Sequence, residues 1–83
     1  MTNTYIEHIN EIAKIGLEGD RNDWHAARIK WEAANWDKAA TTTMADVQRF
    51  YAYVDGKIDA DGNKIQGKPL RFKLDENGDA VRV

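Results

Sequence analysis

The sequence predicts an α+β domain: three α-helices packed on a small antiparallel β-meander, two consecutive hairpins at the C-terminus. Three observations carry that expectation. A short pattern occurs twice near the end, as Asp59-Ala60-Asp61-Gly62-Asn63-Lys64-Ile65 and Asp75-Glu76-Asn77-Gly78-Asp79-Ala80-Val81. Asp-Gly and Asn-Gly between β-prone flanks are strong hairpin signals, because the expected type I′ turn needs positive φ at both central residues. Upstream of these turns, apolar residues recur at helical rather than alternating spacing. Finally, 83 residues make one domain with no room for a second core. Residues 1–83 divide into a helical part, about 4–55, and a hairpin part, about 56–83.

Each element follows from local chemistry. Thr4-Tyr5-Ile6-Glu7 has the form of a capping box. Tyr5, Ile6, Ile9, Ile12, Ala13, Gly16 and Leu17 then share one arc of a helix, with Glu7, Glu11, Lys14 and Glu18 opposite. Gly19 is the expected left-handed C-cap. Asn22 or Asp23 caps a second helix from about Trp24 to Ala40, and this helix carries two apolar stripes. One is Trp24, Ala27, Trp31 and Ala34; the other is Ala26, Ile29, Ala33, Trp36 and Ala40. A helix apolar on two sides is either central or keeps one side for a partner. Thr43 and Asp46 form another capping box, opening a third helix with Met44, Val47, Phe50, Tyr51 and Val54 on one face. Asp55-Gly56 ends it.

Two-residue loops at Asp61-Gly62 and Asn77-Gly78 set the expected registers. Ile58 faces Ile65, Asp59 faces Lys64, Leu74 faces Val81 and Phe72 faces Val83, which places the four apolar residues of the second hairpin on one side. Gly67-Lys68-Pro69 connects the hairpins. The expected core is Ile6, Ile9, Ala13, Leu17, Ile29, Trp36, Val47, Tyr51, Val54, Phe72, Leu74 and Val81.

Composition narrows the function classes. The chain is 42% hydrophobic and 31% charged, with a net charge of −2, too small to imply a nucleic-acid or membrane partner. It has no cysteine, which excludes disulfides, thiolate metal sites and Cys nucleophiles. Serine is absent as well, so hydroxyl chemistry would fall to Thr or Tyr. No apolar run approaches the ~20 residues that span a bilayer, and no signal-peptide layout opens the chain. A cytoplasmic protein is the expectation.

The Asp-rich loops match calcium-loop spacing only in part. In the first, Lys64 stands where glycine belongs and Leu70 where a bidentate glutamate belongs; in the second, Ala80 replaces the glycine. Turn chemistry accounts for both loops, and neither a metal nor a cofactor is expected. His8 and His25 lack companion ligands at zinc spacing. Glu7, Glu11 and Glu18 read as a solvated row rather than an acid/base pair. No catalytic set remains, so an enzyme is not expected.

The tryptophans stand out more. Trp24 and Trp31, flanked by Arg28 and Lys38, form the expected partner-binding surface, with Ile29 and Trp36 taken as core. Aromatic anchors with a cationic neighbour are typical of protein-binding hot spots. The expected function is therefore a small non-enzymatic protein-interaction module, of a size suited to an accessory or inhibitor protein of a phage or mobile element. The alternative is nucleic-acid binding. Three helices followed by a basic hairpin resemble the outline of a winged helix-turn-helix, which would use Arg49, Lys68, Arg71 and Lys73. Its third helix is poorly supplied with phosphate contacts, since it offers only Gln48 and Arg49.

Overall fold

The computed structural model describes residues 3–19 and 21–83. The chain folds as a small α+β domain with, among the described residues, five helical segments and two two-stranded antiparallel sheets. In order these are α1 (Thr4–Glu7), α2 (Ile9–Gly16), β1 (Leu17–Glu18), β2 (Arg21–Asn22), α3 (Trp24–Ala34), α4 (Trp36–Ala39), α5 (Met44–Val54), β3 (Phe72–Leu74) and β4 (Ala80–Arg82). The strand pairs are β1–β2 and β3–β4.

Five segments replace three helices because two single residues interrupt helical stretches. His8 (φ −108°, ψ 26°) separates α1 from α2, and Asn35 (φ −130°, ψ 43°) separates α3 from α4. Both turn a side-chain nitrogen back to the carbonyl four residues earlier. His8 Nδ1 lies 2.9 Å from the Thr4 carbonyl, and Asn35 Nδ2 donates to the Trp31 carbonyl at 3.0 Å. A side chain that competes for backbone acceptors weakens the helical ladder there.

The helix starts follow cap chemistry. Asn3, not Thr4, caps α1: its Oδ1 accepts from the backbone N–H groups of Tyr5 and Ile6. Asp23 caps α3 through the Ala26 N–H. The Thr43–Asp46 capping box opens α5 as expected. Gly19 does have positive φ (63°), but it serves the turn between β1 and β2 rather than a helix end.

The two copies of the Asp-Gly pattern build the same turn. Gly62 N–H donates to the Asp59 carbonyl and Gly78 N–H to the Asp75 carbonyl, with φ of 88° and 80° at the glycines. Each leading Asp then gathers two further backbone donors. Asp59 Oδ1 accepts from Asp61 and Asn63, and Asp75 Oδ1 accepts from Asn77 and Asp79, all at 2.9–3.0 Å. The hydrogen bond from the Asn63 backbone is the main reason the Asp59 pKa falls below the ordinary carboxylate range. Among the described residues no three His, Asp or Glu side chains converge to hold a metal.

These are three-residue loops, in which a type I turn is followed by a left-handed glycine. They shift each register by one residue from the expected one. Leu74 pairs with Ala80, Lys73 with Val81 and Phe72 with Arg82, while Ile58 forms a single bridge with Lys64. A one-residue slip exchanges the faces of a strand. Ala80 accordingly replaces Val81 on the face of Phe72 and is buried with it, while Leu74, further along that same face, is 53% exposed rather than buried. The expected four-stranded meander is reduced to one hairpin, β3–β4, plus that bridge.

The core is an aromatic cluster between the helices and β3–β4. Tyr5 meets Trp31 and Phe50 at ring distances of 5.9 and 5.7 Å, and Trp24 sits edge-on to Phe50 and Phe72 at 5.8 and 5.7 Å. Edge-to-face packing of this kind adds to the area such rings bury. Ile12, Ala13, Ala27, Val54 and Leu70 complete the interior. Ile6, Ile9, Leu17, Val47 and Tyr51 pack partly buried around it. The Cα envelope measures 33 × 33 × 18 Å. Its short dimension holds only two layers of secondary structure, so each helix has one side that no other element can cover.

Candidate functional site

α3 carries the decisive geometry. Trp31 is 1% exposed, and its indole N–H donates to Glu11 Oε2 at 3.0 Å. Trp24 is half-buried against Phe50 and Phe72. The Trp24/Trp31 stripe is therefore core, and the expectation that it is the outward, partner-facing side is corrected. Ile29 and Trp36 were expected in the core; they are 46% and 66% exposed. Ala33 and Ala40, on the same stripe, are exposed too.

The physical reason lies outside α3. α2 packs on α3 with Gly16 at the crossing, where a Cβ would meet Ala27 Cβ and come within 2.6 Å of the Asp23 carbonyl oxygen. Glu11 and Tyr5 then receive Trp31, and Phe50 and Phe72 receive Trp24. One signal in the sequence points the same way. The stripe with two tryptophans has more area to bury than the stripe with one, and each aromatic accounts for roughly 150–250 Å².

Arg28 and Lys38 separate. Arg28 belongs to a half-buried polar network beside the core. It pairs with Glu32 at 2.6 Å and donates through Nε to the Tyr51 hydroxyl at 3.0 Å, with its guanidinium 5.7 Å above the Tyr51 ring. Burial opposes the Arg28 charge, but Tyr51 and Glu32 outweigh it and hold the pKa above its ordinary value. Glu32 also accepts from the Tyr5 hydroxyl, which meets Thr42 Oγ1 at 2.8 Å. Burial and the neighbouring Glu32 carboxylate both push the Tyr5 pKa up. His25 Nδ1 closes the chain 3.1 Å from the Tyr51 hydroxyl. Every member has a partner within the network, which ties α1, α3 and α5 together. Lys38 lies apart, exposed on α4.

The basic residues do not form one surface. Lys68 and Arg71 line a cleft of about 530 Å³ together with Pro69, Leu70, Arg82 and Val83. Arg49 lines a different, smaller hollow of about 200 Å³, which it shares with Asp61 among others. Lys73 is exposed further along β3. Arg82, which the sequence groups with Lys68 and Arg71 among the basic residues of the hairpins, lines the cleft with them, whereas Lys73 does not.

No helix among the described residues is long and apolar enough to cross a membrane. Compared with known proteins, the chain matches no family model, no curated protein and no solved structure. On the surface of the chain the Ile29–Trp36 stripe stands out, because large apolar side chains at helical spacing lie uncovered there.

Proposed function

We propose that the protein is a small non-enzymatic protein-interaction module, which engages a protein partner through the outer face of α3 and α4. Ile29 and Trp36 are the anchors and Lys38 is the flanking charge. One observation carries the reading: Trp36, the largest side chain of that stripe, is 66% exposed and has the exposed Ile29 two turns before it. Tryptophan is among the residues most enriched at binding hot spots, and single anchors of this kind dominate the affinity of an interface. The non-enzymatic part rests on the polar network, whose Tyr5, Arg28, Glu32 and Tyr51 groups are directed at one another. An accessory or inhibitor role suits a domain of this size.

Nucleic-acid binding is the second reading, and the cleft at Lys68 and Arg71 favours it over a surface with no basic cluster at all. Its weakness is Arg49, which sits in a separate hollow.

A tagged protein is used to capture partners from host lysate with and without nuclease, alongside Trp36→Glu and Lys68→Ala variants. The proposal expects one stoichiometric protein that survives nuclease, is lost with Trp36→Glu and persists with Lys68→Ala. Recovery that depends on nucleic acid, or that ignores Trp36→Glu, would overturn it.

A further inference from the structure

We infer that the cleft between the connector before β3 and the end of β4 is a binding site for a small organic phosphate of about nucleotide size. Three cations line it, Lys68, Arg71 and Arg82, and no Asp or Glu does. Among the described residues, none of the three makes an ion pair with a carboxylate.

The two arginines approach the cleft from either side of the hairpin end. Arg82 is paired with Phe72, and the Val83 N–H donates to the Arg71 carbonyl at 2.9 Å. Arg71 and Arg82 therefore leave opposite faces of the hairpin and flank its open end from two sides. Guanidinium groups present planar forks that match phosphate oxygens, and Lys68 adds a compact point charge.

The floor is fixed although it lacks regular secondary structure. Gly67 N–H donates to the Gly56 carbonyl at 2.9 Å, and Leu70 N–H to the Val54 carbonyl at 2.8 Å. Gly56, with φ of 80°, lies so close to the Lys68 backbone that a Cβ there would collide with it. Lys68 and Arg71 are thus presented from a pinned segment, so a ligand avoids most of the cost of ordering a loop.

The lining also limits the ligand. Pro69, Leu70 and Val83 provide an apolar wall beside the cations, and a space of about 530 Å³ exceeds what a bare phosphate fills. It falls within the range of small-molecule pockets, where apolar walls meet a few placed polar groups. The chemistry is that of a phosphate held by the arginines with a flat or apolar body against Pro69 and Val83.

The test is an amide NMR titration of the full chain with 5′-AMP, inorganic phosphate and a single-stranded oligonucleotide. The expected result is saturable shifts at Lys68, Leu70, Arg71 and Arg82 with 5′-AMP, and weaker binding of inorganic phosphate at the same amides. Arg71→Gln and Arg82→Gln should each weaken 5′-AMP about tenfold, the usual scale for losing a charge-assisted hydrogen bond. Lys57→Gln, the same change of charge elsewhere on the surface, should leave it unaltered. An unchanged spectrum of each folded arginine variant secures the comparison. Shifts spread over all surface cations, equal binding of inorganic phosphate, or binding of the oligonucleotide alone would overturn the inference.

Discussion

Trp31 and Trp36 lie on either side of the break at Asn35 and have opposite environments. Trp31 is enclosed by Tyr5 and His8 and donates its indole hydrogen to Glu11. Trp36, the first residue after that break, is mostly exposed. The difference is not intrinsic to the helix, because both stripes are apolar and both carry tryptophan. It is imposed by what the rest of the chain brings against α3. Gly16 permits close approach on one side, and the two-layer thickness provides nothing to cover the other.

This contrast can be broken at several points. The largest effect is expected at Trp31, where truncation to Ala removes a fully enclosed ring and orphans the Glu11 bond. A loss of about 3–5 kcal/mol is typical of such a change, and the domain would be largely unfolded. Urea denaturation with circular dichroism measures it. Gly16→Ala attacks the crossing that selects the buried stripe. The new methyl has neither Ala27 nor the Asp23 backbone to displace cheaply, so a loss of about 1–3 kcal/mol is expected from overpacking. The thermal midpoint should drop with it.

Glu32→Ala lies between the two stripes and sharpens their separation. It leaves Arg28 without its carboxylate and removes the Tyr5 acceptor, although Thr42 remains near that hydroxyl. A cost of about 1–3 kcal/mol is expected for leaving such groups unsatisfied, read as a lower urea midpoint with unchanged slope. Trp36→Ala should do least to the fold. Stability should stay within about 0.5 kcal/mol of the parent, as surface substitutions usually do. Capture of the protein partner should nevertheless be lost. A large fall in stability would mean that Trp36 is packed.

Local chemistry was the legible part of this sequence. The Thr43–Asp46 box, the Asp23 cap and the positive-φ glycines at 62 and 78 all operate within four residues, and each occupies its expected place. The α+β composition followed from them. Register was not legible, because Asp59 and Asp75 each draw two backbone N–H groups into the turn and lengthen the loop by one residue. That single residue put Ala80 instead of Val81 opposite Leu74 and on the face of Phe72. The breaks at His8 and Asn35 were hidden for a related reason, since a side chain bonding back to a carbonyl is an option and not a pattern. The choice between the two stripes of α3 depended on Glu11, Gly16, Phe50 and Phe72, all distant along the chain. The periodicity of α3 alone contains both answers.

The most direct test of this division is hydrogen exchange at the three indole N–H groups, resolved in one heteronuclear NMR spectrum. The account predicts that Trp31 is protected by its bond to Glu11 and by burial, while Trp36 exchanges at the rate of a free indole. Protection of Trp36 together with rapid exchange at Trp31 would contradict it, and would return the partner surface to the Trp24/Trp31 stripe.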